Sequence, residues 1–389
     1  MSKVVISDAV KYVGCDDKTI ELFENQYKLP NGVSYNSYVI LDEKTAVMDT
    51  ADQRVSDEWI SNVKEALAGR NADYLVISHL EPDHSANIQR IAELYPEMKL
   101  VCSAKAAAML PQFFDCDFSG RVITVKEGET LSLGSHTLKF IMAPMVHWPE
   151  VMVEYEETEK ILFSADGFGK FGTLDVDADW DCEARRYYFN IVGKYGAPVQ
   201  TLLKKASALD IKTICPLHGP VLSGDLSHYL ERYNTWSSYE PEESGVFIAY
   251  ASIHGNTAKA ALMLADMIKA KGVKVVASDL TKCGGDLSEA VEDAFRYDRM
   301  IVAASTYDAG VFPVMAEFIA HLKSKAYQKR RVGIMENGSW APAAARLMRA
   351  KLENLKDLHL CETEVSLRGA LNQTSEAQMD AMAVELCAE

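Results

Sequence analysis

Long hydrophobic runs are missing from this 389-residue sequence: its apolar stretches are strand-length, so no membrane-spanning segment is expected. The start Met1-Ser2-Lys3-Val4-Val5-Ile6 lacks the basic segment, extended apolar region and small-residue cleavage site of a secretory signal, and a cytoplasmic location is expected. No C-x-x-C pair occurs among Cys15, Cys102, Cys116, Cys182, Cys215, Cys283, Cys361 and Cys387. That excludes a rubredoxin-type or thiolate zinc module within the sequence and fits reduced thiols. No basic cluster interleaves with aromatics, and a formal charge of −16 repels phosphate backbones, so nucleic acid is not an expected partner. Internal repeats and low-complexity tracts are absent as well, and residues 244–389 hold no G-x-G-x-x-G loop.

What is present is a soluble globular composition, 48% hydrophobic, long enough for two domains. Residues up to about 240 read as strands joined in hairpins with a few helices, a mostly antiparallel pattern. Val33 to Leu41 turns through Asp42-Glu43-Lys44 into Thr45 to Asp49, and strands are expected at 137–142, 151–155 and 160–164. Helices are expected after His84 and after Ala184. Around Tyr239-Glu240-Pro241-Glu242-Glu243-Ser244 the chain becomes polar, which sets the expected domains at 1–243 and 244–389. Beyond that point strands (246–250, 273–278, 300–304, 331–335, 360–365) alternate with helices (257–271, 314–325, 343–354, 375–386), the signature of a doubly wound parallel sheet.

The segment His79-Leu80-Glu81-Pro82-Asp83-His84 concentrates two imidazoles and two carboxylates directly after the apolar run Tyr74-Leu75-Val76-Ile77. Without thiolates, such a set suits iron or manganese at least as well as zinc. Each member also has a structural reading: Asp83 as a helix N-cap, His84 as a satisfied buried histidine. Further ligand candidates stand at strand exits: His147 in Ala143-Pro144-Met145-Val146-His147-Trp148-Pro149, Asp166 in Phe163-Ser164-Ala165-Asp166-Gly167, and His218 in Ile214-Cys215-Pro216-Leu217-His218-Gly219. Metallo-β-lactamase-type folds place ligands at such positions. The groups suffice for two metals: His79, Glu81 and His147 for one, Asp83, His84 and His218 for the other, with Asp166 bridging. Hydrolytic members of that fold usually carry His where this chain has Glu81. A carboxylate there favours iron and redox chemistry over zinc and hydrolysis. The histidines His136, His228, His254, His321 and His359 read as surface or core residues.

In the second half, Tyr250-Ala251-Ser252-Ile253-His254-Gly255-Asn256-Thr257 joins a strand to a helix with hydroxyls, a glycine and free N–H groups, a phosphate-holding arrangement. Two more loops leave strand ends on the same edge: Ser305-Thr306-Tyr307-Asp308-Ala309-Gly310, and Glu336-Asn337-Gly338-Ser339-Trp340-Ala341. Together they suit FMN, with Trp340 covering the ring face or, alternatively, packing as a core residue at a helix start.

H-x-E-x-D-H, H-W-P, A-D-G-F-G, L-H-G and the loops S-I-H-G-N-T, S-T-Y-D-A-G and N-G-S-W-A make the chain resemble the flavodiiron proteins, the A-type flavoprotein family, over nearly its whole length. The resemblance implies an N-terminal metallo-β-lactamase-like αββα sandwich followed by a flavodoxin-like doubly wound parallel sheet. It implies a non-haem site of two iron ions that reduces O2 to water or NO to N2O, with FMN as immediate electron donor. It further implies a head-to-tail homodimer, or a tetramer, and a separate donor such as rubredoxin. Tyr195 resembles an aromatic pocket position of the family, with packing as its alternative role; Glu24 departs from the His or Tyr that other members place in Leu22-Phe23-Glu24-Asn25. The competing readings are a zinc-dependent hydrolase fused to a flavodoxin domain and a non-catalytic flavodoxin-like electron carrier or redox sensor.

Overall fold

The structure, a computed structural model, describes residues 4–177 and 179–388. The described chain forms two compact units. The first runs up to Phe23 and includes Lys28–Tyr188 and Tyr195–Asn234; the second holds Glu24–Tyr27, Phe189–Lys194 and the chain from Thr235 onward.

Two six-stranded sheets build the first unit. One runs in the order Val10–Tyr12, Tyr38–Ile40, Ala46–Met48, Tyr74–Ile77, Lys99–Ser103, Val122–Val125. Its first two pairings are antiparallel and the remaining three parallel. The mostly antiparallel pattern expected from sequence does not hold within this sheet, although antiparallel pairings prevail across the unit. Parallel neighbours require crossovers, and the amphipathic helix Ser56–Leu67, which buries Trp59, Ile60, Val63 and Leu67, is one of them. The other sheet runs Thr130–Ser132, Thr137–Met142, Met152–Glu156, Ile161–Phe163, Thr213–Cys215, Leu222–Ser223, and only Ile161–Phe163 with Thr213–Cys215 is parallel. Ile40, Met48, Val76 and Val101 of the first sheet share one core with Leu138, Phe140, Met152 and Phe163 of the second. Each such side chain contributes on the order of 2 kcal/mol when fully buried, and slipping a strand by one residue would turn its whole buried set outward. The registers at the site are thus held by the core behind them.

The stretch expected as one strand from Val33 is two, Val33–Tyr35 and Tyr38–Ile40. Asn36 breaks it by turning its hydrogen bonds elsewhere. Its N–H donates to the Leu217 carbonyl at 2.8 Å, and its side-chain amide donates to the carbonyls of Pro216 at 2.8 Å and Gly219 at 2.7 Å. The loop carrying His218 is pinned by these bonds.

The second unit is a parallel sheet in the order Val275–Asp279, Glu243–Ala251, Tyr297–Tyr307, Arg331–Asn337, His359–Leu367. This is the flavodoxin-like strand order. Sequence reading passed over the helix Ser288–Arg296, although Ala290, Val291, Ala294 and Phe295 lie at helical spacing and are buried. The strand expected to stop at Ala304 continues to Tyr307, where Asp308 and Ala309, at φ 47° and 58°, turn the chain back into Gly310–Val311.

Candidate metal centre and mononucleotide cleft

All seven ligand candidates converge in the first unit. Strand Tyr74–Ile77 ends two residues before His79, with Ser78 between them. Pro82 opens the short helix Pro82–Ser85 with its ring-fixed φ, and Glu81 occupies the N-cap position without a side-chain cap bond. Asp83 is therefore in the first turn, not the cap, and the capping alternative for it falls. His147 Nε2 lies 2.9 Å from Glu81 Oε2 and 3.1 Å from Asp166 Oδ2; His79 Nε2 lies 3.1 Å from the same Asp166 oxygen. On the other side, His218 Nε2 lies 3.2 Å from Asp83 Oδ2 and 3.6 Å from Asp166 Oδ1, and His84 Nε2 is 3.5 Å from Asp83 Oδ2. Asp166 turns one carboxylate oxygen to each group.

These atoms are close without being paired as ordinary hydrogen bonds. His79 Nε2, His147 Nε2, Asp83 Oδ1 and Asp166 Oδ1 are buried and have no hydrogen-bond partner among the described residues, nor do the Nδ1 atoms of His79 and His84. The reading of His84 as a satisfied core histidine does not survive this. His218 Nδ1 lies 2.8 Å from the Ser34 carbonyl, which fixes Nδ1 as the protonated nitrogen and leaves the Nε2 lone pair pointing into the basin. There it stands 3.0 Å from His84 Nε2. Converging lone pairs in a dry site are what a cation, not a proton network, resolves. The donor atoms fall into two groups, His79, Glu81, His147 and Asp166, and Asp83, His84 and His218, each within the reach of one ion.

The electrostatics agree. Burial opposes charge on both imidazoles, yet Asp166 and Glu81 outweigh it and drive His79 well above its ordinary range and His147 up to about 10. Burial would raise the carboxylates, but His147 and His79 hold Glu81 down at about 2 and keep Asp166 well below its usual value. Burial pushes His84 down to about 4. The basin thus demands positive charge, and metal cations satisfy that demand in place of protons. Tyr195 is half-buried at the foot of helix Gly196–Ala206. Glu24 belongs to the second unit.

In the second unit a cleft of about 380 Å³ opens at the C-terminal edge of the parallel sheet. From the first expected loop it is lined by Ser252, Ile253, His254, Asn256 and Thr257, from the second by Ser305, Thr306, Asp308 and Ala309, and from the third by Asn337, Gly338, Ser339 and Trp340. Gly255, at φ 90°, instead makes the turn into helix Asn256–Ala270, and Tyr307 and Gly310 close the hairpin. Gly369 joins the lining, a residue sequence reading missed; it follows the last strand on the same edge and exchanges hydrogen bonds with the Asn337 side chain at 2.9 and 3.0 Å. Trp340 is 93% exposed, which rules out its core reading. An exposed indole and Ile253 beside a hydroxyl-lined helix N-terminus fit a planar ring attached to a phosphate.

A two-metal His and carboxylate basin on a double-sheet sandwich, with a mononucleotide cleft in the same chain, defines a flavin-linked binuclear metalloprotein. Residues 33–219 match the ODP family beta lactamase, and residues 247–384 match the flavodoxin domain. An uncharacterized protein of Methanocaldococcus jannaschii is 30% identical across 82% of this chain and 81% of its own length. A nitric oxide reductase of Moorella thermoacetica is 29% identical across 91% and 90%. The rubredoxin oxygen:oxidoreductase of the anaerobe Desulfovibrio gigas superposes with a TM-score of 0.92 at 26% identity, covering 98% of this chain and 96% of that one. The chain belongs to the flavodiiron protein family. It is an oxidoreductase whose cofactors are FMN and a non-haem pair of irons.

Proposed function

We propose that this protein reduces O2 to water, or NO to N2O, with His79, Glu81 and His147 holding one iron, Asp83, His84 and His218 the other, and Asp166 bridging them. The observation that carries this reading is the disposition of Asp166, whose Oδ2 faces His79 and His147 while Oδ1 faces His218. Bound, the pair of irons would supply two electrons and the flavin two more, the four that reduction of one O2 to two waters takes.

The chain's own residues set the conditions for that chemistry. Glu81 brings an anionic oxygen where a hydrolase carries an imidazole, which favours iron. Ser34 holds His218 in the tautomer that can ligate. Burial of His79, His84, Asp166 and His218 keeps bulk water from screening the carboxylate charge. In the cleft, the first-turn N–H groups of helix Asn256–Ala270 with the hydroxyls of Ser252, Thr257, Ser305 and Thr306 would hold the FMN phosphate, and Trp340 and Ile253 would flank the ring. Tyr195 would stand as the aromatic group near the substrate.

Electrons would come from a separate rubredoxin or rubredoxin-like carrier; the sequence itself has no C-x-x-C pair to hold such a centre. The proposed assembly is a head-to-tail homodimer, with a tetramer as the larger alternative, and the proposed location is the cytoplasm. Among the described residues no helix is long and apolar enough to cross a membrane. His79→Ala or Asp166→Ala should abolish rapid O2 and NO consumption while FMN stays bound. Persisting turnover would refute the diiron assignment, as would one zinc per chain with a hydrolytic activity that outlasts flavin removal.

A further inference from the structure

Next to the metal basin lies a chain of three oxygen-bearing side chains that metal binding does not use. Ser78, the residue before His79, donates its backbone N–H to Asp49 Oδ1 at 2.7 Å. Its hydroxyl lies 2.6 Å from Asp49 Oδ2 and 3.1 Å from Glu154 Oε2. All three residues are shut away from solvent: Asp49 is 2% exposed, Ser78 1% and Glu154 0%.

A serine hydroxyl carries one proton and can donate to only one of two carboxylates. Were both ionised, the second contact would set lone pair against lone pair between buried charges, an arrangement a dry interior penalises heavily. One of the two carboxyls must therefore carry a proton. Asp49 already accepts two hydrogen bonds from Ser78, including the shorter one to the hydroxyl, and that favours its ionised form. Glu154 Oε1 has no hydrogen-bond partner among the described residues, which a neutral carboxyl tolerates better than a carboxylate. Burial, followed by the charge of Asp49, pushes Glu154 well above its ordinary range, whereas burial takes Asp49 up only to about 6.

We propose that Glu154 is a proton-holding residue, a neutral acid that donates to Ser78 Oγ and can pass one proton through Ser78 to Asp49, on the side of the metal basin. In that step the Glu154 Oε2–H bond breaks as its proton bonds to Ser78 Oγ, while the serine's own proton passes to Asp49 Oδ2. Glu154 ends as a carboxylate, Ser78 is restored and Asp49 becomes the acid. Total charge is unchanged, but negative charge moves from Asp49, which holds the N–H of the residue preceding His79, to Glu154 at the far side of the Ser78 hydroxyl. The shift would counter negative charge that builds up at the basin as electrons arrive. Its role in turnover rests on the proposed reduction of O2 or NO, which consumes protons; the protonation of Glu154 does not rest on it.

Infrared spectra of the full-length protein in H2O and D2O, with and without bound metal, test this directly. Wild type at neutral pH should show the carbonyl stretch of a buried carboxylic acid that shifts in D2O. Glu154→Gln, whose amide can still donate to Ser78, should lose that band, and Asp49→Asn should keep it. Glu154→Gln should hold its iron and its melting temperature, yet consume O2 or NO on the order of tenfold more slowly with an altered solvent deuterium effect. Absence of the band, or its survival in Glu154→Gln, overturns the assignment; loss of the band with unchanged turnover overturns the relay. A band that behaves as expected in a protein that consumes neither gas would leave the protonated glutamate standing and remove the reduction reading.

Discussion

Glu81 is the residue on which the choice between hydrolysis and reduction turns, because it places a carboxylate 2.9 Å from His147 where a zinc hydrolase would place a third imidazole. Glu81→His should exchange iron for zinc and lower iron affinity by at least the roughly 10–100-fold that loss of a supporting partner costs a metal site. Metal analysis of the purified variant checks this; undiminished iron content would contradict it. The convergence of the candidate ligands was legible in the sequence because metal-competent side chains at strand exits have few other uses. The division of Asp166 between two ligand groups was not, since it depends on where each carboxylate oxygen points. Nor was the Glu154–Ser78 contact, which joins residues 76 positions apart.

At the scale of elements, the loop that carries His218 depends on Asn36, which holds the Pro216 and Gly219 carbonyls and accepts from the Tyr12 hydroxyl at 2.9 Å. Pro216 also accepts from the Tyr38 hydroxyl at 2.6 Å, so Asn36→Ala leaves the Gly219 carbonyl and the Tyr12 hydroxyl without their partner and should cost about 2–4 kcal/mol in urea unfolding, with iron lost ahead of global unfolding. Residues 33–41 read as one strand because no glycine or proline interrupts them; the one sequence signal of the break is the pair of consecutive polar residues Asn36-Ser37, where the alternation lapses. The hairpin entering strand Thr137–Met142 carries a pH dependence. His136 Nδ1 lies 2.9 Å from Asp42 Oδ2 and its Nε2 3.5 Å from Glu159. Burial lowers its pKa, but the Asp42 hydrogen bond, the charge of Glu156 and the Glu159 contact outweigh it, and the net shift is upward. A folded value above the unfolded one, about 6.5, means that this stabilisation is complete below about pH 6.5 and is lost as pH rises through the raised value. Urea titrations across that range should show stability falling, and the fall attributable to this group should vanish in His136→Gln. The missed helix Ser288–Arg296 has a plain cause: its charged residues Glu289, Glu292, Asp293 and Arg296 dilute a buried face made partly of alanines.

For the whole molecule, the change of grammar near residue 240 made the two architectures legible, hairpins with a few helices before it and strict alternation after. What sequence could not show is that Glu24–Tyr27 and Phe189–Lys194 group with the second unit, because their partners are remote: Phe189 stacks on Phe295 with ring centroids 4.1 Å apart. The basin and the cleft are built from different units, so stripping metal with a chelator should lower the melting temperature while FMN remains bound, as read by flavin fluorescence. Flavin released together with the metal would contradict that expectation. A basin that is a redox site served by the flavin should show itself in stopped-flow mixing of the anaerobically reduced protein with O2 and, separately, with NO, following flavin absorbance. Wild type should reoxidise its flavin far faster than Asp166→Ala with at least one of the two gases; equal rates with both would contradict the account.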